Sequence, residues 1–158
     1  MTRSQAVQGL FDKLLKQVEL AEPASQERIE VVQQQVGFHF SQEYRDFLLF
    51  SNGAEGPIGE HGYIQLWALE DLVEFNLGYA VQEFAPGIFL FGSDGGDEAF
   101  GFDLRDPGMP VIRIPFIPMS NDLVVQIAPT FIRFLAMQTG IEAGDPRRDA
   151  ERGAVELD

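Results

Sequence analysis

Four carboxylates lie close together in the sequence around a pair of glycines, and side chains of this type could bind a cation. Asp94, Asp97, Glu98 and Asp103 surround Gly95-Gly96. Ca²⁺ prefers several carboxylate ligands, but the spacing lacks the calcium-loop pattern and its glutamate at the twelfth position. Asp and Gly also adopt the positive φ angles of a tight hairpin turn, so a turn is the simpler interpretation. Contact with Lys and Arg of a protein partner is a third use, compatible with the turn. We expect no metal site, and we take Asp94, Asp97 and Glu98 as candidate partner-binding residues.

A second group of polar side chains lies in a glycine-rich segment from Ala54 to Gly62, which the sequence predicts to be a loop. Glu60 and His61 are neighbours there, and Glu55 lies a few residues earlier. A carboxylate beside an imidazole can transfer protons, but the sequence offers no nucleophile in a recognisable catalytic context. We therefore expect Glu55, Glu60 and His61 to contact a partner from a mobile loop, and we predict that the protein is not an enzyme.

The aromatic residues that follow this loop divide between core and surface. Trp67 closes an alternating strand pattern and is expected to be mostly buried. Tyr63 adjoins the loop and is the better surface candidate, because exposed aromatic side chains concentrate binding energy at interfaces. The glycine-rich run 92–96 looks like a phosphate-binding loop, but acidic residues and a predicted strand follow it where a helix N-terminus is needed. We therefore predict no bound cofactor.

The charge of the chain narrows the classes of partner. The chain has 158 residues and a net charge of −14, from 25 acidic and 11 basic residues. Such a chain repels phosphate backbones and anionic lipid, which disfavours nucleic acid and membrane surfaces as partners. It attracts and steers a basic protein, although acidity also serves solubility alone. Oligomeric state is not predicted.

The composition indicates the compartment. The chain has no cysteine, which excludes disulfides and cysteine-ligated zinc and is compatible with a reducing environment. No run of about 18 apolar residues predicts a membrane span, and the N-terminus lacks the pattern of a secretion signal. We therefore expect a cytoplasmic protein.

Apolar residues at helical spacing predict three helices in the N-terminal part of the chain. The first follows a stripe from Val7 to Val18, and Ser25 and Ser41 are suitable N-caps for the second and third. Gly37 is a suitable C-cap for the second helix, and Asn52-Gly53 ends the third.

The middle of the chain predicts strands separated by turns. The predicted strands are 62–67, 88–91, 99–104 and 111–114, and further helices are predicted at 68–79 and from Pro129 to Gly140. The second and third strands form a hairpin through the turn at 92–97. The sequence therefore predicts one α+β domain over residues 1–140, with a central antiparallel or mixed sheet and helices packed on one side. Residues 141–158 are predicted to form a charged, flexible tail.

Several spaced motifs carry a resemblance to a known family. In order they are Val36-Gly37, Tyr44-Arg45-Asp46-Phe47-Leu48, Ser51-Asn52-Gly53, Leu69-Glu70-Asp71-Leu72, the run from Phe91 to Glu98, and Phe131-Ile132-Arg133-Phe134-Leu135. Their order and spacing resemble the SMI1/KNR4 family of the SUKH superfamily over about Val18 to Thr139. The resemblance implies a helical N-terminal part, a sheet and a Phe-rich closing helix.

The resemblance also implies a function. Many bacterial members of this family resemble immunity proteins, which bind and neutralise toxins that are often nucleases and commonly basic. Together with the strong acidity of the chain, this implies a non-enzymatic binding protein whose partner is a cognate protein toxin. The alternative is a cytosolic regulator or scaffold of the SMI1/KNR4 type with other protein partners.

Overall fold

The computed structural model describes residues 2–140, so the tail predicted at 141–158 lies outside the described residues. The helices are α1 (Arg3–Leu14), α2 (Gln26–Val36), α3 (Gln42–Phe50), α4 (Leu69–Gly78), α5 (Val81–Phe84) and α6 (Phe131–Thr139), and Asn121–Leu123 form a 3₁₀ turn. The strands are β1 (Glu19–Leu20), β2 (Ala54–Ile58), β3 (Gly62–Leu66), β4 (Ile88–Ser93), β5 (Glu98–Asp103), β6 (Val111–Pro115) and β7 (Val125–Ala128).

All seven strands form one antiparallel sheet in which each strand pairs with the next in the sequence, in the order β1 to β7. Antiparallel neighbours need only short connections, and turns of this kind join β2 to β3, β4 to β5 and β5 to β6. The two longest connections carry helices, since α2 and α3 lie between β1 and β2, and α4 and α5 lie between β3 and β4. The prediction of a single α+β domain is confirmed, and the sheet is antiparallel rather than mixed.

Side-chain caps explain where the helices begin. The hydroxyls that accept a backbone N–H of the first turn belong to Thr2, Ser25, Ser41 and Thr130. The predicted caps at Ser25 and Ser41 are confirmed, whereas Pro129 precedes α6 and Thr130 caps it. Two helices end at left-handed glycines, as the sequence predicts for Gly37 and Gly140.

The two faces of the sheet carry separate apolar clusters, because successive strand residues point to opposite faces. On β4, Phe89 and Phe91 face a large cluster with α1, α2, α3 and α6, while Ile88 and Leu90 face a smaller cluster that includes Val81 of α5. The predicted layer of helices on one side therefore exists. The short α5, which the sequence treats as a connector, covers the centre of the other face.

Three strands differ from the sequence prediction. The predicted loop at 54–62 contains β2, in which buried Ala54, Gly56 and Ile58 alternate with exposed residues. The sequence does not show this alternation, because the buried positions include the small residues Ala54 and Gly56 and because Pro57 is unusual within a strand. The sequence predicts no element at β1, which has only two residues, and none at β7, which lies between Pro118 and Pro129.

The Ser51-Asn52-Gly53 motif ties the end of α3 to the sheet. Ser51 is fully buried, and its Oγ accepts a hydrogen bond from Ala21 N at 2.8 Å and donates one to Gly53 O at 2.6 Å. Gly53 has φ +92°, and a Cβ there would lie 2.8 Å from Leu66 O. Only glycine allows β3 to pass this close, so the motif fixes where the chain enters β2.

Asn52 of the same motif begins α4. The N-cap residue Ala68 has no side-chain cap, and Asn52 Oδ1 instead accepts from Leu69 N at 2.7 Å. Its Nδ2 donates to both carboxylate oxygens of Glu70 at 2.6 and 2.9 Å. A residue at the end of α3 thus satisfies an N-terminal donor of α4, which sets the position of that helix beside β3.

A second asparagine holds α4 against the sheet. β3 pairs with β4 only at its C-terminal end, which leaves Leu90 without a strand neighbour on that side. Asn76 takes the place of a strand, because Oδ1 accepts from Leu90 N and Nδ2 donates to Leu90 O, both at 2.9 Å. This pairing satisfies both backbone groups of a buried residue.

Among residues 2–140, no helix is long and apolar enough to cross a membrane.

Phe134 of α6 offers a direct test of the core. It is fully buried, and its ring lies 4.8 Å from the ring of Phe100 and 5.6 Å from that of Phe91. We expect Phe134→Ala to lower the free energy of unfolding by about 3–5 kcal/mol, measured by urea titration, because it leaves a cavity. Met137→Ala on the same helix is the matched control, since Met137 is 55% exposed. Equal losses in the two variants would contradict this packing.

Candidate functional site

The outer face of β1, β2 and β3 and the first turns of α4 enclose a shallow depression of about 900 Å³, which we call the acidic groove. Three carboxylates line it, those of Glu19, Glu55 and Asp71, and the described lining contains no Lys, Arg or His. Its other polar and aromatic side chains include Asn52, Tyr63, Gln65, Trp67 and Phe75. The sequence identified Glu55 and Tyr63 as candidate site residues, and the structure brings both into this groove.

The hairpin of β2 and β3 orients the carboxylate of Glu55. Glu55 lies opposite Gln65 in the register of the two strands. The Tyr63 hydroxyl donates to Glu55 Oε2 at 2.7 Å, and Gln65 Nε2 donates to the same oxygen at 3.1 Å. The hydrogen bond from Tyr63, followed by that from Gln65, lowers the pKa of Glu55. The same hydrogen bond raises the pKa of Tyr63, so this exposed carboxylate is ionised and held in one position at neutral pH.

Glu19 places a second negative charge beside Glu55. The two residues are direct partners in the register of β1 and β2, and both are exposed. Like charges directly opposite each other on neighbouring strands are destabilising. No ion pair with a residue in 2–140 compensates either carboxylate.

A chain of hydrogen bonds joins the groove to the turn between β4 and β5. Ser93 Oγ donates to Gln65 Oε1 at 3.1 Å and accepts from Gly95 N at 3.1 Å. The ring of Tyr63 covers Gly95, where a Cβ would lie 2.7 Å from Tyr63 Cδ2. Gly95 has φ +83°, as the predicted turn requires. The two regions that the sequence singled out, 54–63 and 94–98, therefore meet at Tyr63.

Aromatic side chains form the other wall of the groove. Trp67 contacts both apolar clusters and is half-buried, and its ring meets that of Phe75 edge-on at 4.9 Å. Outside the groove lining, Tyr79 stacks on Trp67 at 6.4 Å, and Phe116 lies 4.6 Å from Tyr79. Tyr63 is 40% exposed and Tyr79 45% exposed. Carboxylates thus border an exposed aromatic row, a combination that suits cationic side chains, which bind to the faces of aromatic rings.

Glu60 and His61 lie apart from the acidic groove. They occupy the turn at the tip of the β2–β3 hairpin, and both side chains are 93% exposed. Their carboxylate and imidazole are 3.9 Å apart. His39, the other histidine of the chain, lies in the link between α2 and α3. The structure therefore places Glu60 and His61 at the exposed tip of the hairpin.

The three acidic candidates at the β4–β5 turn separate in the structure. Asp94 Oδ1 accepts from Gly96 N at 2.8 Å and from Glu98 N at 3.3 Å, so its carboxylate shapes the turn. Asp97 is exposed, and its side chain has no hydrogen bond or ion pair with a described residue. Glu98 lies on the face of Phe100, which carries the helices, and Arg113 Nε pairs with its carboxylate at 3.3 Å. Glu98 therefore does not share the exposed surface of Asp97.

Asp103, the fourth acidic residue of this region, also forms an ion pair within the chain. Arg105 donates to both oxygens of Asp103, at 2.9 and 3.0 Å, and this contact lowers the pKa of Asp103. Within residues 2–140, no group of three or more His, Asp or Glu side chains is arranged to hold a metal ion.

Sequence reasoning missed Glu19, Asp71 and Phe75. Glu19 reaches the groove because a two-residue strand pairs with β2, which no local pattern signals. Asp71 and Phe75 are four residues apart and therefore share one face of α4, which the predicted helix could have indicated. The alternation of Tyr63, Gln65 and Trp67 was recognised, and it could have drawn attention to Gln65 as well.

The sequence model of the SMI1/KNR4 family (SUKH-1) matches residues 23–137, more than half of the chain. The match contains most of the acidic groove, although Glu19 precedes it. The chain is also similar to the "Uncharacterized protein YnaB" of Bacillus subtilis (strain 168), with 37% identity over 71 residues. That alignment covers 45% of the chain and 44% of the relative, so the chain spans less than half the length of this relative.

The hydrogen bond from Tyr63 to Glu55 gives a prediction for titration. We expect Tyr63→Phe to raise the pKa of Glu55 toward its ordinary value, measured by carboxyl ¹³C NMR, because the main hydrogen bond to the ionised form is lost. A lowered carboxyl pKa stabilises the fold above the pKa of the unfolded chain, and this effect is lost as the pH falls through the folded pKa. The free energy of unfolding of the variant should therefore depend less on pH between the folded and unfolded pKa values of Glu55. In the control Tyr79→Phe, the pKa of Glu55 should not change, and a shift there as large as in Tyr63→Phe would contradict the assignment.

Proposed function

This chain belongs to the SMI1/KNR4 family (SUKH-1), and we propose that it acts as an immunity protein, which neutralises a cognate basic toxin in the cytoplasm by direct binding. The observation that carries this proposal is the acidic groove, where three carboxylates and an aromatic wall face solvent with no cation among the described lining residues. The partner is a protein that presents Arg or Lys side chains.

Uncompensated charge supports a cationic partner. Glu19 and Glu55 face each other across β1 and β2, and their repulsion falls when a positive side chain lies between them. Asp71 extends the same negative surface from α4. A field of one sign raises the association rate of a protein with the opposite charge, and this effect weakens with salt.

Preorganisation supports tight binding. Glu55 is held by Tyr63 and Gln65, and Gln65 is held in turn by Ser93, so little side-chain freedom is lost on association. The ring of Trp67 is held by its edge-on contact with the ring of Phe75. Rigid aromatic side chains beside oriented charges are typical of the residues that dominate binding energy at protein interfaces.

The chemistry of the lining favours inhibition over turnover. The described lining of the groove contains no Ser, Thr, Cys, Lys or His, and the hydroxyl of Tyr63 is bound to Glu55. We propose that the groove covers a functional surface of the toxin and that no bond is made or broken.

Removal of charge from the groove tests this proposal. We expect Glu19→Gln with Glu55→Gln to slow association with the cognate toxin, to be sought among the products of neighbouring genes or by pull-down, by roughly 10-fold at low salt. The amide oxygen introduced at position 55 can still accept from the Tyr63 hydroxyl, so the effect reports charge. The matched control is Asp12→Asn with Glu30→Gln, which removes the same charge from exposed positions on α1 and α2. Association rates by surface plasmon resonance and rescue of toxin-expressing cells are the measurements. Failure of the unmodified chain to bind or rescue would sink the proposal and favour a regulator with other partners.

The β4–β5 turn gives a second, independent test on the same complex. The sequence predicts that reversing both Asp97 and Glu98 to Lys slows association without affecting the fold. The structure changes this expectation for Glu98, because Glu98→Lys would place two cations together at Arg113. We now expect Asp97→Asn to slow association and Glu98→Gln to leave it within about 2-fold, since Glu98 lies on the other face. If only Glu98→Gln slowed association, the groove face would be the wrong surface.

A further inference from the structure

The carboxylates of the acidic groove differ in how many oxygens they leave free. Glu55 Oε2 accepts from both Tyr63 and Gln65, so only Oε1 is without a partner among residues 2–140. Neither carboxylate oxygen of Asp71 takes part in a hydrogen bond or an ion pair with a described residue. Glu55 can therefore receive further donors at a single oxygen, whereas Asp71 can receive two parallel donors at once.

Asp71 lies beside a pair of aromatic rings. Phe75 follows Asp71 by four residues on α4, and side chains at this spacing on a helix are neighbours. The ring of Phe75 meets that of Trp67 edge-on at 4.9 Å, and both residues are half-buried. All three side chains line the acidic groove. A carboxylate with two free oxygens therefore stands next to aromatic surface that solvent still reaches.

The chemistry of this arrangement favours arginine over lysine. A guanidinium is planar and carries its N–H groups in that plane, so it can donate two parallel hydrogen bonds to one carboxylate while its face lies on an aromatic ring. An ammonium is a compact, strongly hydrated charge that cannot form this planar pair of bonds. Because it is more strongly hydrated, it also loses more on contact with a ring.

We propose that the acidic groove holds an arginine side chain of the partner protein, with the guanidinium forked on Asp71 and its face against the rings of Trp67 and Phe75. That the arginine belongs to a toxin rests on the proposed function, whereas the selection of arginine does not. The carboxylates then have separate roles. Asp71 selects arginine, while Glu19 and Glu55 attract arginine and lysine alike.

Blocked amino acids test this selection without the toxin. Nα-acetyl-arginine amide, the lysine analogue and the citrulline analogue should each be titrated into the full chain at low salt, since citrulline keeps the shape of arginine without its charge. Trp67 is the only tryptophan, so its indole N–H gives a single NMR signal that reports on the groove. We expect a millimolar dissociation constant for arginine, at least about 5-fold weaker binding of lysine, and no saturable shift with citrulline. Equal binding of arginine and either analogue, or no saturable shift with arginine up to about 100 mM, would overturn the proposal.

Matched substitutions locate the fork. We expect Asp71→Asn to weaken arginine binding at least about 5-fold and to abolish the preference over lysine, because an amide offers one oxygen and no charge. Glu55→Gln should weaken arginine and lysine binding alike, so the preference should remain. Glu74→Gln is the control, since Glu74 is exposed on the same helix outside the described lining, and both constants should stay within about 2-fold. A preference that survives Asp71→Asn but disappears in Glu55→Gln would place the fork at Glu55 and contradict the assignment.

Phe75→Leu tests the aromatic contact. Leucine fills much of the same space without a ring face, so we expect arginine binding to weaken about 3-fold and lysine binding to change less. Leu77→Ala on the same helix, at a position 75% exposed, should leave both constants unchanged. An equal effect of the two substitutions on arginine binding would remove the ring from the site.

The results distinguish this proposal from the immunity proposal. If the chain selects arginine but neither binds a toxin nor rescues cells, the groove is an arginine site and the immunity role is wrong. If the chain rescues cells but binds the arginine and lysine probes equally, the immunity role stands and the fork on Asp71 is wrong.

Discussion

The junction at Ser51-Asn52-Gly53 is the constraint on which the site depends. A buried hydroxyl, an amide and a glycine without a Cβ bring the end of α3, the segment after β1, the end of β3 and the start of α4 to one place. Asn52 and Gly53 also line the acidic groove. Part of the junction is therefore part of the groove, and the carboxylates of the groove belong to the strands and the helix that the junction positions.

The ion pairs of residues 2–140 all lie outside the acidic groove. Four arginines pair with acidic side chains elsewhere, as Arg3 with Asp46, Arg28 with Glu70, Arg105 with Asp103 and Arg113 with Glu98. The groove receives none of them. Net charge alone predicts a basic partner but not a place for it. Exposed carboxylates outside the groove, such as Asp12 and Glu30, also have no ion pair with a described residue, so the groove is distinguished by the aromatic side chains beside its three carboxylates and not by unpaired charge alone.

The sequence predicts what local chemistry determines and misses what distant contacts determine. The caps at Ser25 and Ser41 and the β4–β5 turn at Gly95 depend on neighbouring residues, and each is found where expected. β1 exists only because β2 lies beside it. Gly56 in β2 is typical of a loop, yet a Cβ there would lie 3.3 Å from Glu19 N in β1. The site is predicted in part for the same reason. Glu55 and Tyr63 belong to one hairpin, while Glu19 and Asp71 join them through tertiary contacts.

Asp97 and Glu98 show why strand geometry, and not acidity, decides which residues can bind. They are adjacent in the sequence and carry the same charge, yet strand alternation sends Glu98 to the face of the helices, where Arg113 neutralises it. Asp97 stays in the turn and keeps its charge exposed. The same alternation gathers Glu55, Gln65 and Ser93 in one row on the outer face. Odd and even positions along a strand face opposite sides of the sheet. The strand register therefore decides which acidic residues lie on the same face and can form one binding surface.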